Sequence, residues 1–203
     1  MGRFICLLAV IFLAAECSSN LEMVEEKNDE GVMTAQYTVN TKTEQKEGMY
    51  KSYDTNGQLI EEATYQNNQL NGERKVYYED GSVQTIETYV ADQHNGRFLS
   101  FFDNGKVELQ GDYVNGIMEG EWKSYYSNGQ LKEIVPFENN NENGAFIEYH
   151  ENGNLKAEGT YLNGDNEDGE LKLYDETGEL ERIMQCKMGV CKTVWTLDME
   201  DKS

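Results

Sequence analysis

Apolar and aromatic residues recur along this chain in fixed columns rather than in runs. Counting from Gly120, an aromatic, Tyr125, follows five residues on and a glycine, Gly129, at nine. An aliphatic, Leu131, stands at eleven and an aromatic, Phe137, at seventeen. The same template lands six times. Its opening glycines are Gly48, Gly72, Gly96, Gly120, Gly144 and Gly169, at intervals of 24, 24, 24, 24 and 25 residues. The fifth-position column reads Tyr53, Tyr77, Phe101, Tyr125, Tyr149 and Tyr174. The seventeenth reads Tyr65, Tyr89, Tyr113, Phe137, Tyr161 and then Cys186. Self-similarity at a fixed period of this size is the signature of a repeat architecture.

Each period holds two short alternating stretches and two glycine-bearing turns, and so reads as a β-hairpin. In the fourth unit, residues 121–126 form a strand, 127–129 a turn and 130–137 the return strand. Turn dipeptides recur in register at Asn56-Gly57, Asp80-Gly81, Asn104-Gly105, Asn128-Gly129 and Asn152-Gly153, with Thr177-Gly178 last. Glycine, and to a degree asparagine, tolerates the positive φ such turns require. A second set of turns is expected where units join, at the opening glycines themselves, as in Leu70-Asn71-Gly72. The pattern therefore predicts an all-β fold, an elongated single-layer antiparallel sheet of six hairpins. Twelve strands at about 4.8 Å would extend it over roughly 55–60 Å. Each hairpin is marginal alone and draws its stability from its neighbours.

Side chains alternate along a strand, so the second position of each unit should face away from the fifth. That row is Tyr50, Arg74, Phe98, Trp122, Phe146 and Leu171. The fifth and seventeenth columns are expected to pack the repeat and the second-position row to be the more exposed. Tyr50, Phe98, Trp122 and Phe146 are then the candidate ligand contacts, for a partner protein or a glycan chain.

Composition narrows the function. The 203-residue chain is 38% hydrophobic with a mean hydropathy of −0.74, which suits a thin sheet better than a deep core. Its formal charge is −21, from 38 acidic and 17 basic residues. Nucleic acid is excluded as a partner, since neutralising phosphates takes clustered Lys and Arg. Docking by charge on anionic lipid is excluded on the same ground. The two histidines, His94 and His150, fall at turns or strand ends with no nucleophile at a recognisable spacing. The densest acidic turn, residues 164–169, puts Gly164 where a calcium loop needs its first aspartate. No catalytic residue, cofactor or metal is expected.

The ends carry separate signals. Residues 1–17 combine Arg3, a twelve-residue apolar run over residues 4–15 and small residues before Cys17, the form of a signal peptide. Leu13, Ala14, Ala15 and Cys17 resemble a bacterial lipobox, which implies lipidation of Cys17 and anchoring to a membrane. Glu16 departs from that pattern, and free secretion is the alternative. Residues 18–32 are acidic and read as a disordered tether. Residues 33–47 read as a partial capping repeat, 48–197 as the hairpin domain and 198–203 as a tail. In an exported chain, Cys186 and Cys191 are expected to form a disulfide.

Units of the form Gly-Glu-Trp-Lys-Ser-Tyr-Tyr-Ser-Asn-Gly-Gln-Leu-Lys, as at residues 120–132, resemble the MORN repeat in its bacterial variant form. The resemblance spans roughly residues 48–185 and rests on six units that agree. Proteins of this group are often labelled antitoxin-like, and their MORN relatives form elongated antiparallel sheets used as interaction or scaffolding surfaces. The resemblance thus implies a non-catalytic interaction module, here exported to the cell envelope, with an unidentified protein partner. A cell-wall or glycan binder and an antitoxin or immunity protein are the alternatives.

Overall fold

A computed structural model describes residues 20–197. The leader over residues 1–17, its lipidation candidate Cys17 and the tail at 198–203 lie outside the described residues. Within them the chain forms sixteen strands. The first eight are β1 Leu21–Lys27, β2 Met33–Asn40, β3 Gln45–Tyr53, β4 Leu59–Gln66, β5 Gln69–Tyr77, β6 Val83–Val90, β7 Gln93–Phe101 and β8 Val107–Val114. The rest are β9 Ile117–Tyr125, β10 Leu131–Glu138, β11 Asn141–Glu142, β12 Gly144–Tyr149, β13 Leu155–Tyr161, β14 Gly169–Tyr174, β15 Leu180–Lys187 and β16 Val190–Thr196. They make one open antiparallel sheet in chain order, with the two-residue β11 pairing β10 beside β12. The expected single-layer hairpin ladder is what forms.

Three expectations change. The acidic stretch expected as a disordered tether contains β1, paired with β2 from Leu21↔Asn40 to Lys27↔Met33. Its turn is closed as in the repeats, Gly31 N donating to Asn28 O at 2.9 Å as Gly57 N does to Asp54 O at 3.0 Å. Asn28 Oδ1 also accepts from the backbone N–H of Glu30 and Val32, as Asp54 Oδ1 does from Asn56 and Gln58. Acidic composition opposes burial, but an outermost strand is paired on one side only, and six of the seven β1 residues are exposed. Its carboxylates therefore lose little solvation. For the same reason residues 33–47 are not the edge, because β1 lies outside β2.

The second set of turns also lies elsewhere. Strands are joined by two-residue turns in which both residues have positive φ at Asn67-Asn68, Ala91-Asp92, Asn115-Gly116, Asn139-Asn140 and Met188-Gly189, while the fifth unit passes to the sixth through a longer loop that carries Asn163-Gly164, also at positive φ. This is the geometry that matches the twist of paired strands. The opening glycines sit instead within or at the start of strands, at φ between 73° and 127°. Opposite Gly48, Gly72 and Gly96 the register against the preceding strand slips, so these glycines shape bulges. Sequence alone marks where positive φ is needed, and a turn and a bulge make the same demand.

Both margins of the sheet are stitched between units. At the hairpin turns, Tyr78 Oη donates to Phe101 O at 2.6 Å, Tyr126 Oη to Tyr149 O at 2.8 Å and His150 Nε2 to Tyr174 O at 2.9 Å. At the joining turns, Asn68 Oδ1, Asp92 Oδ1 and Asn140 Oδ1 accept from the backbone N–H of Lys46, Leu70 and Met118, each 22 residues earlier. These contacts tie each hairpin to the next independently of the strand ladder.

Residues opposite one another across the ladder share a face. Tyr50 opposes Ala63, Phe98 opposes Gly111, Trp122 opposes Val135 and Phe146 opposes Gly159. A large side chain thus alternates with a small one across the strands. The main hydrophobic cluster lies on this face in the C-terminal half: Val135, Phe146, Ala157, Leu171 and Cys186, flanked by Phe137, Tyr161, Leu173, Met184 and Cys191. Cys186 and Cys191 are paired across β15–β16 with their Sγ atoms 1.99 Å apart.

Candidate functional site

The expectation that the second-position row is the exposed one is overturned by packing. Trp122 is 3% exposed and Phe146 2%, while Tyr50 and Phe98 are half-buried. The indole of Trp122 is ringed by Phe98, Tyr113 and Phe137 at centroid distances of 5.7, 5.2 and 6.0 Å. Beneath it lies Gly111, where an added Cβ would come within 2.2 Å of the ring. Phe146 stacks on Tyr161 at 4.2 Å and lies over Gly159 in the same way. The row and the seventeenth column share one face and bury each other. Small residues at the opposing position, which the spacing of aromatics did not bring out, make room for the large ones.

The fifth-position column lies on the other face, half-buried among charged residues. Tyr77 Oη donates to Glu62 at 2.6 Å, and the Lys51 ammonium lies 2.7 Å from the same carboxylate. Those two hydrogen bonds, led by that from Lys51, hold Glu62 below the usual glutamate range. Tyr174 and Lys172 treat Glu158 alike, at 2.9 and 3.0 Å. Burial, with the neighbouring Glu62, pushes the Tyr77 phenol up to about 12. This is a solvated ladder of ion pairs.

On the aromatic face a further column, two residues before each opening glycine, sits among the rings: Lys46, Leu70, His94, Met118, Glu142 and Glu167. Its members differ in charge from one end of the sheet to the other. Lys46 Nζ lies 4.9, 4.4 and 5.2 Å from the ring centroids of Tyr37, Tyr50 and Tyr65, a cation held in a tyrosine cage. His94 stacks between Tyr89 and Tyr113 at 4.2 and 4.8 Å and hydrogen-bonds Tyr89 Oη through Nε2. Arg74 stands in the second-position row, bonding Glu61 at 2.9 Å and Glu87 at 2.8 Å. Those bonds, the one from Glu61 foremost, raise its pKa.

Toward the C-terminal end the charge reverses. A depression of about 170 Å³ opens between β9 and β10, lined by Leu109, Met118, Trp122, Ser124, Glu133, Val135, Phe137 and Glu142. Burial first, and then Glu148 and Glu142, push the Glu133 carboxyl above its ordinary value. Glu142 is raised by burial and by Asp165 and Glu167. Tyr161 is raised strongly by burial with Glu133 and Glu142 nearby. Glu148 has a cation, Lys156 at 2.7 Å, but among the described residues neither Glu133 nor Glu142 is in an ion pair.

His94 serves packing among the rings and His150 stitches a turn to the next unit.

The family model for the MORN repeat variant matches residues 46–67, 70–91, 95–115, 118–139, 142–163 and 167–186, well over half of the chain. These segments coincide with the six hairpin units and exclude the β1–β2 hairpin. No curated protein matches the chain.

Proposed function

The chain belongs to the MORN repeat variant family, and on that premise we propose that it is a non-catalytic interaction scaffold for a protein partner at the cell envelope. MORN repeats are commonly modules for contact with proteins or membranes. The observation that carries the reading is the aromatic face. Its rings run from Tyr37 to Tyr161 and are mostly half-buried, and among the described residues every element belongs to the one sheet, so none packs over it. Half-covered aromatics beside charged groups are the composition of recognition surfaces.

The partner is basic. A net charge of −21 repels anionic membranes and acidic proteins and speeds encounter with basic ones. Glycan stacking is less favoured, because the rings best suited to it, Trp122 and Phe146, are already covered by their neighbours. Export and anchoring rest on residues 1–17 and on Cys17.

The test is site-specific photo-crosslinking in the native host. A crosslinker at Tyr113 on the aromatic face is expected to give one discrete protein adduct, and one at Lys123 on the opposite face none. Equal adducts from both faces, or none from either, overturn the reading. Cys17→Ser is expected to release the protein from the membrane fraction, and its retention there overturns the anchor.

A further inference from the structure

We propose that the depression between β9 and β10 is a receptor for a lysine or arginine side chain of the partner, held by Glu133 and Glu142 against Trp122 and Phe137. The inference rests on the interaction reading and deepens it, by naming what the partner inserts and where.

Three independent features of the slot point to an occupant. Glu133 and Glu142 line it, partly desolvated, with no ion pair among the described residues. Leaving two carboxylates so close and unpaired costs folding free energy that a bound cation would offset. Trp122 also lines the slot, is only 3% exposed, and its indole Nε1–H has no acceptor among the described residues. The hydroxyl of Ser124, which also lines the slot, is buried and has no partner among the described residues either. Buried donors are almost always satisfied, so an orphaned one marks a place where an outside group completes the bonding.

The chain itself shows what kind of group fits. The repeat position taken by Glu142 in the fifth unit is taken by Lys46 in the first. There the protein's own ammonium fills the gap among Tyr37, Tyr50 and Tyr65. At the fifth unit the same position supplies a carboxylate, opposite Phe137 and near Tyr161, and among the described residues no cation lies over either ring. A side chain entering from outside would take the role of Lys46, its charge on the two carboxylates and its stem along Met118 and Leu109. Arginine fits the paired carboxylates through its planar fork, and the peptide carbonyl beside it supplies an acceptor for the indole N–H. A metal ion is the poorer match, since among the described residues no three potential ligands converge closely enough to hold one.

The test is nuclear magnetic resonance titration of the folded chain with acetyl-arginine methylamide, with the uncharged isostere acetyl-citrulline methylamide as control. The indole N–H signal of Trp122 is expected to shift and saturate with a Kd on the order of 1 mM, while that of Trp195, in β16 far from the slot, stays in place. Glu133→Gln with Glu142→Gln is expected to weaken binding about tenfold or more. Circular dichroism confirms that this variant is folded. An equal shift with citrulline, no shift with arginine, or undiminished binding in the double variant overturns the proposal. The crosslinking partner separates the two readings. If the double variant still captures it through the aromatic face as well as the wild type does, the slot inference fails and the scaffold stands. If arginine titrates the slot but no partner crosslinks, the scaffold reading fails and the slot stands.

Discussion

The second and fourth units follow one template and fill its core positions with opposite chemistry. In the fourth, Trp122 opposes Val135 and both are buried. In the second, Arg74 opposes Glu87 and reaches across to Glu61 as well, so that the row runs through a half-exposed ionic cluster. The backbone is the same in both: strand, hairpin turn, return strand, joining turn. The ladder and the stitched margins therefore define the fold, while the face is free to vary between apolar packing and charge pairing. The consequence for energetics is uneven, because apolar burial accumulates in the C-terminal half. Ion pairs with exposed partners contribute little. Repeat arrays whose units differ in intrinsic stability come apart from the weaker end.

The contrast breaks most severely at Trp122. Trp122→Ala is expected to cost about 3–5 kcal/mol, read by denaturant unfolding. The same substitution at Tyr50, half-buried in the first unit, should cost clearly less. Equal losses at the two sites would show that both halves are packed alike.

Next is Gly111→Ala. Its φ is not in the left-handed region, so the cost is purely one of space, a Cβ that would lie 2.2 Å from the indole. Overpacking of this kind costs about 1–3 kcal/mol. Combining it with Trp122→Leu is expected to cost less than the sum of the two single changes. Additivity in that double-mutant cycle would mean that the glycine and the indole are not coupled.

Exchanging the ionic cluster for apolar residues, Arg74→Met with Glu87→Leu, probes the other side. The pair is partly solvated, so replacing both members should leave stability within about 1 kcal/mol of the wild type. Arg74→Met alone should be worse than the double change, since both leave Glu61 without Arg74 but only the single change also strands Glu87. If the single change were the milder one, the cluster would not be acting as a pair.

The smallest effect concerns pH and differs in sign between the two regions. Glu133 has a folded-state pKa above its unfolded value, so the folded state holds that proton more tightly. Its contribution therefore falls as pH rises through the window above 4.5 and then levels off. Glu62 is shifted downward by Lys51, so its contribution is present above 4.5 and is lost as pH falls. Glu133→Gln should accordingly stabilise the protein slightly at about pH 7, a difference that closes near pH 4, and Glu62→Gln should weaken it, a difference that shrinks as pH falls below 4.5 and closes only below the depressed folded-state pKa. Denaturation midpoints at the two pH values check it, and an unchanged midpoint for Glu133→Gln at neutral pH would contradict its burial.

The candidate site was only partly legible beforehand. The spacing of Tyr50, Phe98, Trp122 and Phe146 correctly grouped them on one face, away from the fifth-position column. Which face would be covered depended on the opposing residues, Ala63, Gly111, Val135 and Gly159, whose small size lets the rings lie down on the sheet. The slot brings Trp122 and Ser124 of β9 together with Glu133 of β10 and Glu142 of β11. That grouping follows from the register of adjacent strands, including the bulges, and a one-residue slip would turn each side chain to the other face.

Sequence alone determined the period, the hairpin unit, the single antiparallel sheet and the places where positive φ is required. These follow from local rules, alternation along a strand and the tolerance of glycine and asparagine for turns, which act over a few residues. Tertiary structure decided whether a glycine makes a turn or a bulge, whether the acidic stretch at residues 21–27 orders as an edge strand, and which aromatic row is buried. Each of these depends on what lies across the ladder, roughly one repeat away in sequence, where a partner's size and charge outweigh the residue's own preference.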